Sequence, residues 1–158
     1  MINLKPVTSK NDDEICNLKA DSKLVRHNEG SLADAFVYTT EYGQTPMAYG
    51  IYHDETPVGF VMVAYFTEDD RGNHGIPYYF LWRLMIDEKH QGKGYGREAM
   101  QLVIDEVKTL PKGYANAFYT STHGAAALRL YEGLGFKRTG QEAEGEEIEL
   151  RLALPGDV

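Results

Sequence analysis

Residues 84–97 read Leu-Met-Ile-Asp-Glu-Lys-His-Gln-Gly-Lys-Gly-Tyr-Gly-Arg, an apolar run that ends in a turn carrying glycine at 92, 94 and 96. Glycine has no Cβ, so the backbone can turn tightly and let successive N–H groups converge on one anion. A helix starting there adds the positive end of its dipole. Phosphate or pyrophosphate is the ligand such a turn suits, with Lys93 and Arg97 as compensating charge. The run is neither a Walker loop, which ends in Gly-Lys-Ser/Thr, nor a dinucleotide fingerprint with its acid about 20 residues on. Residues 124–136 form a second run, Gly-Ala-Ala-Ala-Leu-Arg-Leu-Tyr-Glu-Gly-Leu-Gly-Phe. Its Tyr131 shares a helical stripe with Ala127, Leu128 and Leu134, which suits core packing. A phenol with an ordinary pKa near ~10 is also a competent proton donor, so both roles stay open.

The elements that must hold these residues follow from periodicity. Residues 2–7 form a first strand, and Asn11-Asp12-Asp13-Glu14 starts a helix that runs towards Val25. Ser31-Leu32-Ala33-Asp34 caps a second helix to about Tyr42, ended by Gly43; the two helices read as a mobile arm. Residues 47–53 and 58–66 pair as a hairpin around Asp54-Glu55-Thr56-Pro57. Residues 78–86 are apolar on both faces, as in a central strand. Arg83 is the exception there, and it is expected to pair with a carboxylate across the sheet. From 97 to 110, Met100, Val103, Ile104 and Val107 form a helical stripe, with Glu98, Gln101, Asp105 and Lys108 facing away. Pro111 and Gly113 stop that helix. Residues 114–122 are a strand, 124–134 a short helix, and Ile148, Leu150, Leu152 and Leu154 alternate along a closing strand. The order is β-α-α-β-β-β-α-β-α-β-β, one α/β domain over residues 1–158.

Composition bounds the function. The chain of 158 residues is 42% hydrophobic, enough for a real core. With 16 Lys plus Arg against 24 Asp plus Glu, the net charge is 16 − 24 = −8, the wrong sign for a nucleic-acid binder. That field favours a cationic small molecule. No long apolar run or N-terminal signal pattern is present, so a soluble, cytoplasmic protein without a membrane partner is expected. The single Cys16 gives no disulfide framework, and the five scattered histidines have no ligand spacing, so no metal is expected.

Gln91-x-x-Gly94-x-Gly96 followed by Ala127-x-x-x-Tyr131-x-x-x-Gly135-Phe136 resembles the GNAT superfamily of acyl-CoA N-acyltransferases. The likeness is densest from 81 to 136, and the fourth strand and its loop are most similar to bacterial diamine and spermine/spermidine acetyltransferases. The resemblance implies a mixed, mostly antiparallel sheet with helices on both faces. It also implies acetyl-CoA as co-substrate, a primary amine (a polyamine or diamine) as acceptor, and a homodimer. Leu84, Met85 and Ile86 would offer backbone groups to the pantetheine arm. Gln91, Gly92, Lys93, Gly94, Tyr95, Gly96 and Arg97 would hold the pyrophosphate, with Gly124 and Ala127 also at the cofactor. Tyr131 would be the general acid, assisting departure of the CoA thiolate in a ternary complex without an acyl-enzyme. Cys16, on the first helix, is not expected to be a nucleophile.

Two departures from the family pattern stand out. Gly124 replaces a frequent Asn, so a side-chain contact to CoA is lost or taken over by Ser121, Thr122 or His123. The fourth strand holds no Asp or Glu, which leaves the general base open. Glu29, Asp34 and Glu41 on the arm, with Glu68 and Asp69, are candidate seats for a cationic acceptor, beside Tyr38, Tyr42, Tyr49 or Trp82 as cation–π surface. Glu142, Glu144, Glu146, Glu147 and Glu149 read as a solvated hairpin rim. Other enzymatic readings are transfer to an antibiotic, amino-acid or protein amine; the non-enzymatic one is an acyl-CoA sensor.

Overall fold

The computed structural model describes residues 1–20, 28–42, 45–66, 77–109, 117–143 and 147–154. Among these, the elements are β1 (Ile2–Pro6), α1 (Asp12–Cys16), α2 (Asn28–Tyr42), β2 (Thr45–His53), β3 (Thr56–Phe66), β4 (Tyr78–Ile86), α3 (Tyr95–Thr109), β5 (Ala117–Thr122), α4 (Ala125–Gly133), β6 (Lys137–Ala143) and β7 (Glu147–Ala153). A 3-10 turn, Glu88–His90, follows β4. This is the expected α/β order. The strands form one sheet ordered β1-β2-β3-β4-β5-β7-β6. The β1–β2, β5–β7 and β6–β7 pairs are antiparallel, and β4–β5 is parallel. β3 is buried without interruption from Val58 to Ala64, which its unbroken apolar sequence requires of an inner strand.

The chain divides into two compact units. The first comprises Met1–Ala64 with Trp82–Ile104. Its core is Ile15, Tyr52, Phe60, Met62 and Met85, with Leu18, Leu32, Ala35 and Trp82 packed against it. Burying that apolar surface is what seats α1 and α2 on the strands, through Ile15, Leu32 and Ala35, while Phe36 and Val37 of α2 stay exposed.

The helix boundaries differ from the sequence reading for tertiary reasons. The first helix stops at Cys16 instead of running towards Val25. Beyond it, the Lys19 N–H donates to the Asp87 carboxylate at 2.9 Å, and the Lys19 carbonyl accepts from the Glu88 N–H at 2.8 Å. The backbone there is committed to the turn after β4, so it cannot continue a helix. α2 begins at Asn28, ahead of the predicted cap. Asn28 is buried and donates to the Ile15 carbonyl at 2.8 Å, while Ser31 lies buried inside the helix with its hydroxyl accepting from Arg83 Nε at 3.2 Å. Gly43, expected to end this helix, lies outside the described residues. α3 starts two residues earlier than predicted, at Tyr95, and buries Met100, Val103, Ile104 and Val107 as the stripe requires.

The second unit comprises Tyr65–Leu81 with Asp105–Val158, and its core is aromatic. Phe66 stacks on Tyr78 at 5.0 Å between ring centroids, and Phe118 meets Phe136 edge-on at 5.6 Å. In the β5–β7 ladder, Thr120 faces Leu150 and Ser121 faces Glu149. Glu149 corrects the solvated-rim reading: it is 5% exposed, and its carboxylate accepts from the Thr139 hydroxyl at 2.9 Å. Its partner hydroxyl makes the burial tolerable. Glu142 is exposed and Glu147 half-buried; Glu144 and Glu146 lie outside the described residues.

Candidate active site

The first unit carries the glycine turn. Gly92 and Gly94 have φ of 76° and 81°, the left-handed region that a Cβ disfavours. Gly96 is different: it lies in the first turn of α3. The Gly94 carbonyl accepts from the Glu98 N–H at 3.1 Å and so closes the first helical turn. The N–H groups of Tyr95, Gly96 and Arg97 therefore have no carbonyl one turn back, and the dipole's positive end stands at the turn. Gln91 to Gly94, with Arg97, are exposed, and a Cβ built on Gly92 or Gly94 meets nothing within 4 Å. The Gln91 side chain donates to the Ile86 carbonyl at 3.0 Å, so it pins the turn to the end of β4. The His53 ring stacks on Tyr95 at 5.1 Å.

Two residues that the sequence reading passed over hold this arrangement. Asp87, buried at the end of β4, accepts from the backbone N–H groups of Lys19 and Lys89. A carboxylate just before a turn is a signal that could have found it. Gly59 lies in buried β3, where a Cβ would come within 2.4 Å of the Met85 carbonyl. Glycine inside an apolar strand signals such a close backbone approach. Gly59 thus fixes the path of β4 where Leu84, Met85 and Ile86 lie; Met85 is buried, and Leu84 and Ile86 are half-buried.

The β4–β5 ladder pairs Tyr79 with Phe118 and Phe80 with Tyr119. β4 itself continues to Ile86.

The second unit carries Tyr131, on α4. It is 6% exposed, and its ring lies 5.7 Å from that of Phe136. Burial pushes its phenol up to about 12; a hydrogen bond with Thr120 pulls it down, and the nearby Glu147 carboxylate pushes it up. The phenol is thus held as O–H at every physiological pH. Gly124 is the N-cap of α4 in extended conformation and makes no side-chain cap, and Ala127 is half-buried on its first turn. Ser121, Thr122 and His123, the alternatives to a lost Asn contact, all have partners within the chain. Thr122 Oγ1 accepts from the Gly124 N–H at 3.1 Å, the Ser121 hydroxyl donates to Glu147, and His123 Nε2 lies 3.4 Å from Glu147 Oε1.

The described residues suggested for an acceptor lie on α2, β2 and β4. Arg83 pairs with a carboxylate, but on α2 instead of across the sheet: its guanidinium lies 3.7 Å from Asp34. Asp34 therefore already faces a cation. Glu29 is exposed, and Trp82 is half-buried against the first unit's core. The side chains of Tyr38, Glu41 and Tyr42, and residues Glu68 and Asp69, lie outside those described. Burial, followed by Glu29, Asp12 and Asp13, pushes the Cys16 thiol up, which disfavours the thiolate that a nucleophile needs. No group of three or more His, Cys, Asp or Glu among the described residues is placed to hold a metal. No described helix is long and apolar enough to cross a membrane.

Residues 13–136 match the Acetyltransferase (GNAT) family. The chain is 31% identical over 154 residues to the spermine/spermidine N(1)-acetyltransferase of Bacillus subtilis (strain 168), covering 93% of this chain and 95% of that protein. In fold it is similar to Arabidopsis thaliana NAA60, solved with a bisubstrate analogue, at a TM-score of 0.68, 14% identity and 99% coverage of both chains. It is likewise similar to the ribosomal-protein-S18-alanine N-acetyltransferase of Escherichia coli, at a TM-score of 0.65 and 17% identity, covering 98% of this chain and 93% of that one. The glycine turn at the head of α3, the buried phenol on α4 and a family match that spans both place this chain in the GNAT family of acetyltransferases, as an acyl-CoA N-acyltransferase.

Proposed function

We propose that the chain moves the acetyl group of acetyl-CoA to a primary amine of a polyamine or diamine, by direct attack within a ternary complex. The observation that carries the chemistry is Tyr131, buried and held protonated with its phenol pushed up to about 12. When an amine nitrogen attacks the thioester carbon, the C–N bond forms and the C–S bond breaks, leaving a thiolate that needs a proton or a strong hydrogen bond. A phenol that stays neutral supplies it without competing for the amine's own proton. The backbone N–H groups of the glycine turn, with Lys93 and Arg97, suit the pyrophosphate. The backbone of Leu84 to Ile86 suits the pantetheine amides, because among the described residues the β4–β5 ladder pairs only Tyr79 and Phe80 on the β4 side.

The choice of acceptor is supported by the Bacillus subtilis relative's name and by the net charge of −8, which favours a polycation at long range. Steady-state assay of an amine panel with acetyl-CoA, reading free thiol, tests both parts. Spermine or spermidine should outcompete monoamines, with an apparent KM that rises with added salt more steeply than that of a monoamine. Equal, salt-insensitive use of polyamines and monoamines removes the acceptor assignment and leaves the acetyl transfer. No thiol release with any amine removes both.

A further inference from the structure

Acetyl transfer to an ammonium requires a group that takes a proton from nitrogen before or during attack. β4 offers none, since residues 78–86 contain no Asp or Glu. The second unit holds a cluster that the reading above leaves unused. In the β5–β7 register, Tyr119 faces Arg151, Ser121 faces Glu149 and Thr122 faces Ile148; His123, one residue past the end of β5, lies against Glu147 at the start of β7. Side chains alternate between faces of a sheet. Ser121, His123, Glu147 and Glu149 therefore share one face, and Phe118, Thr120 and Leu150 share the other. Tyr131 belongs with the latter, because it hydrogen-bonds Thr120 and its neighbour ring Phe136 meets Phe118.

The order of contacts within the cluster decides its chemistry. Glu147 is central: the Ser121 hydroxyl donates to one carboxylate oxygen, and His123 Nε2 lies 3.4 Å from the other. A nucleophilic triad needs the imidazole in the middle, so Ser121 is not an activated nucleophile. With both oxygens engaged, Glu147 is a poor acceptor itself. Its carboxylate is placed to stabilise the imidazolium once formed. Among the described residues Nδ1 of His123 has no partner, and the ring is about half exposed, at 53%.

We infer that His123 is the general base of the transfer, accepting the amine proton at Nδ1, with Glu147 as its positioning residue. The inference rests on the acetyltransferase reading above. An ammonium gives up two protons on its way to an amide: His123 takes one before attack and one from the tetrahedral nitrogen after it, shedding each to water from its half-exposed ring, while Tyr131 on the other face of β5 gives its proton to sulfur and regains one from water. Among the described residues, the register places Glu149 and Arg151 on β7, Tyr119 on β5 and Lys137 on β6 on the face that carries Glu147.

The test compares kcat/KM across pH for the parent, His123→Gln and Glu147→Gln, with two acceptors. One is the best amine of the panel. The other is its analogue fluorinated beside the amine, whose ammonium is far more acidic and loses its proton without help. For the ordinary amine near neutral pH, His123→Gln should lose about 10²-fold or more, with the deficit shrinking as pH rises. For the fluorinated amine most of that loss should vanish, and Glu147→Gln should show the same pattern more weakly. Acetyl-CoA affinity by calorimetry should stay at the parent value in both. A His123→Gln enzyme within twofold of the parent at every pH overturns the inference, as does a deficit equal for both acceptors, which a structural role would give. A parent that releases no thiol with any amine overturns the acetyltransferase reading, and this inference with it.

Discussion

The turn at Gln91–Arg97 and the surroundings of Tyr131 solve opposite problems with opposite materials. The turn is exposed and built from backbone, with left-handed glycines around which added side-chain atoms find only open space. Tyr131 is buried among aromatic rings, and its one polar atom is governed by Thr120 and Glu147. An anion is best held by many N–H dipoles that can stay hydrated until it arrives, so exposure costs nothing there. A proton donor must keep its proton, and burial is the cheapest way to disfavour the charged phenolate. The turn should therefore fail through backbone conformation and the Tyr131 site through a single atom.

The sharpest way to break the contrast is Tyr131→Phe, which removes one hydroxyl and little volume. Turnover should fall by roughly 10² to 10⁴, with acetyl-CoA affinity by calorimetry hardly moved. A variant as active as the parent would return Tyr131 to core packing.

The same substitution has a second, alkaline signature. The Tyr131 phenol rises from an ordinary 10 to about 12 in the folded chain. Its raised value means the folded state keeps a proton that the unfolded state loses, so this contribution to stability is whole below pH 10 and disappears as pH climbs through 12. Two pKa units correspond to about 2.7 kcal/mol. Denaturant titrations between pH 9 and 12 should therefore show a shallower loss in the Phe variant. Tyr52, pushed up to about 12 by burial and by its hydrogen bond to Glu14, keeps the parent's trend alive in both. Parallel pH curves would contradict the buried-phenol assignment.

On the other side of the comparison, Gly94→Ala places a Cβ on a residue at φ 81°, at a cost of about 1–2 kcal/mol wherever the turn keeps its shape. The turn is exposed, so it should relax instead of unfolding the protein. Acetyl-CoA binding should weaken about tenfold, while turnover of the bound complex stays near that of the parent. Unchanged affinity in the folded variant would remove the pyrophosphate assignment.

The smallest effect is a gain. A Cβ at Gly124 meets only Thr122 Oγ1 at 3.8 Å and Ala127 Cβ at 3.9 Å, both ordinary contacts, and its φ of −80° and ψ of 132° suit an N-cap side chain. Gly124→Asn should raise stability by a few tenths of a kcal/mol through capping of α4, readable as a small increase in Tm. A decrease would show that the extended N-cap geometry does not admit the side chain.

The order of elements, the glycine turn and the stripe of α3 were legible in the sequence. These depend on spacing within one segment: periodicity chooses helix or strand, and left-handed backbone calls for glycine. The sequence also placed Tyr131 on a helical core stripe and, through the family motif around it, in the role of the acid. The tertiary structure decided what depends on neighbours distant in the chain. It ended α1 at Cys16 by engaging Lys19 with Asp87, began α2 at Asn28 by burying that amide against Ile15, paired Arg83 with Asp34, and hid Glu149 behind Thr139. It also set His123 against Glu147 through the β5–β7 register. Hydrogen bonds and charges respond to whatever lies within a few ångströms, and residues 68 or 24 positions apart come that close only once strands and helices have packed.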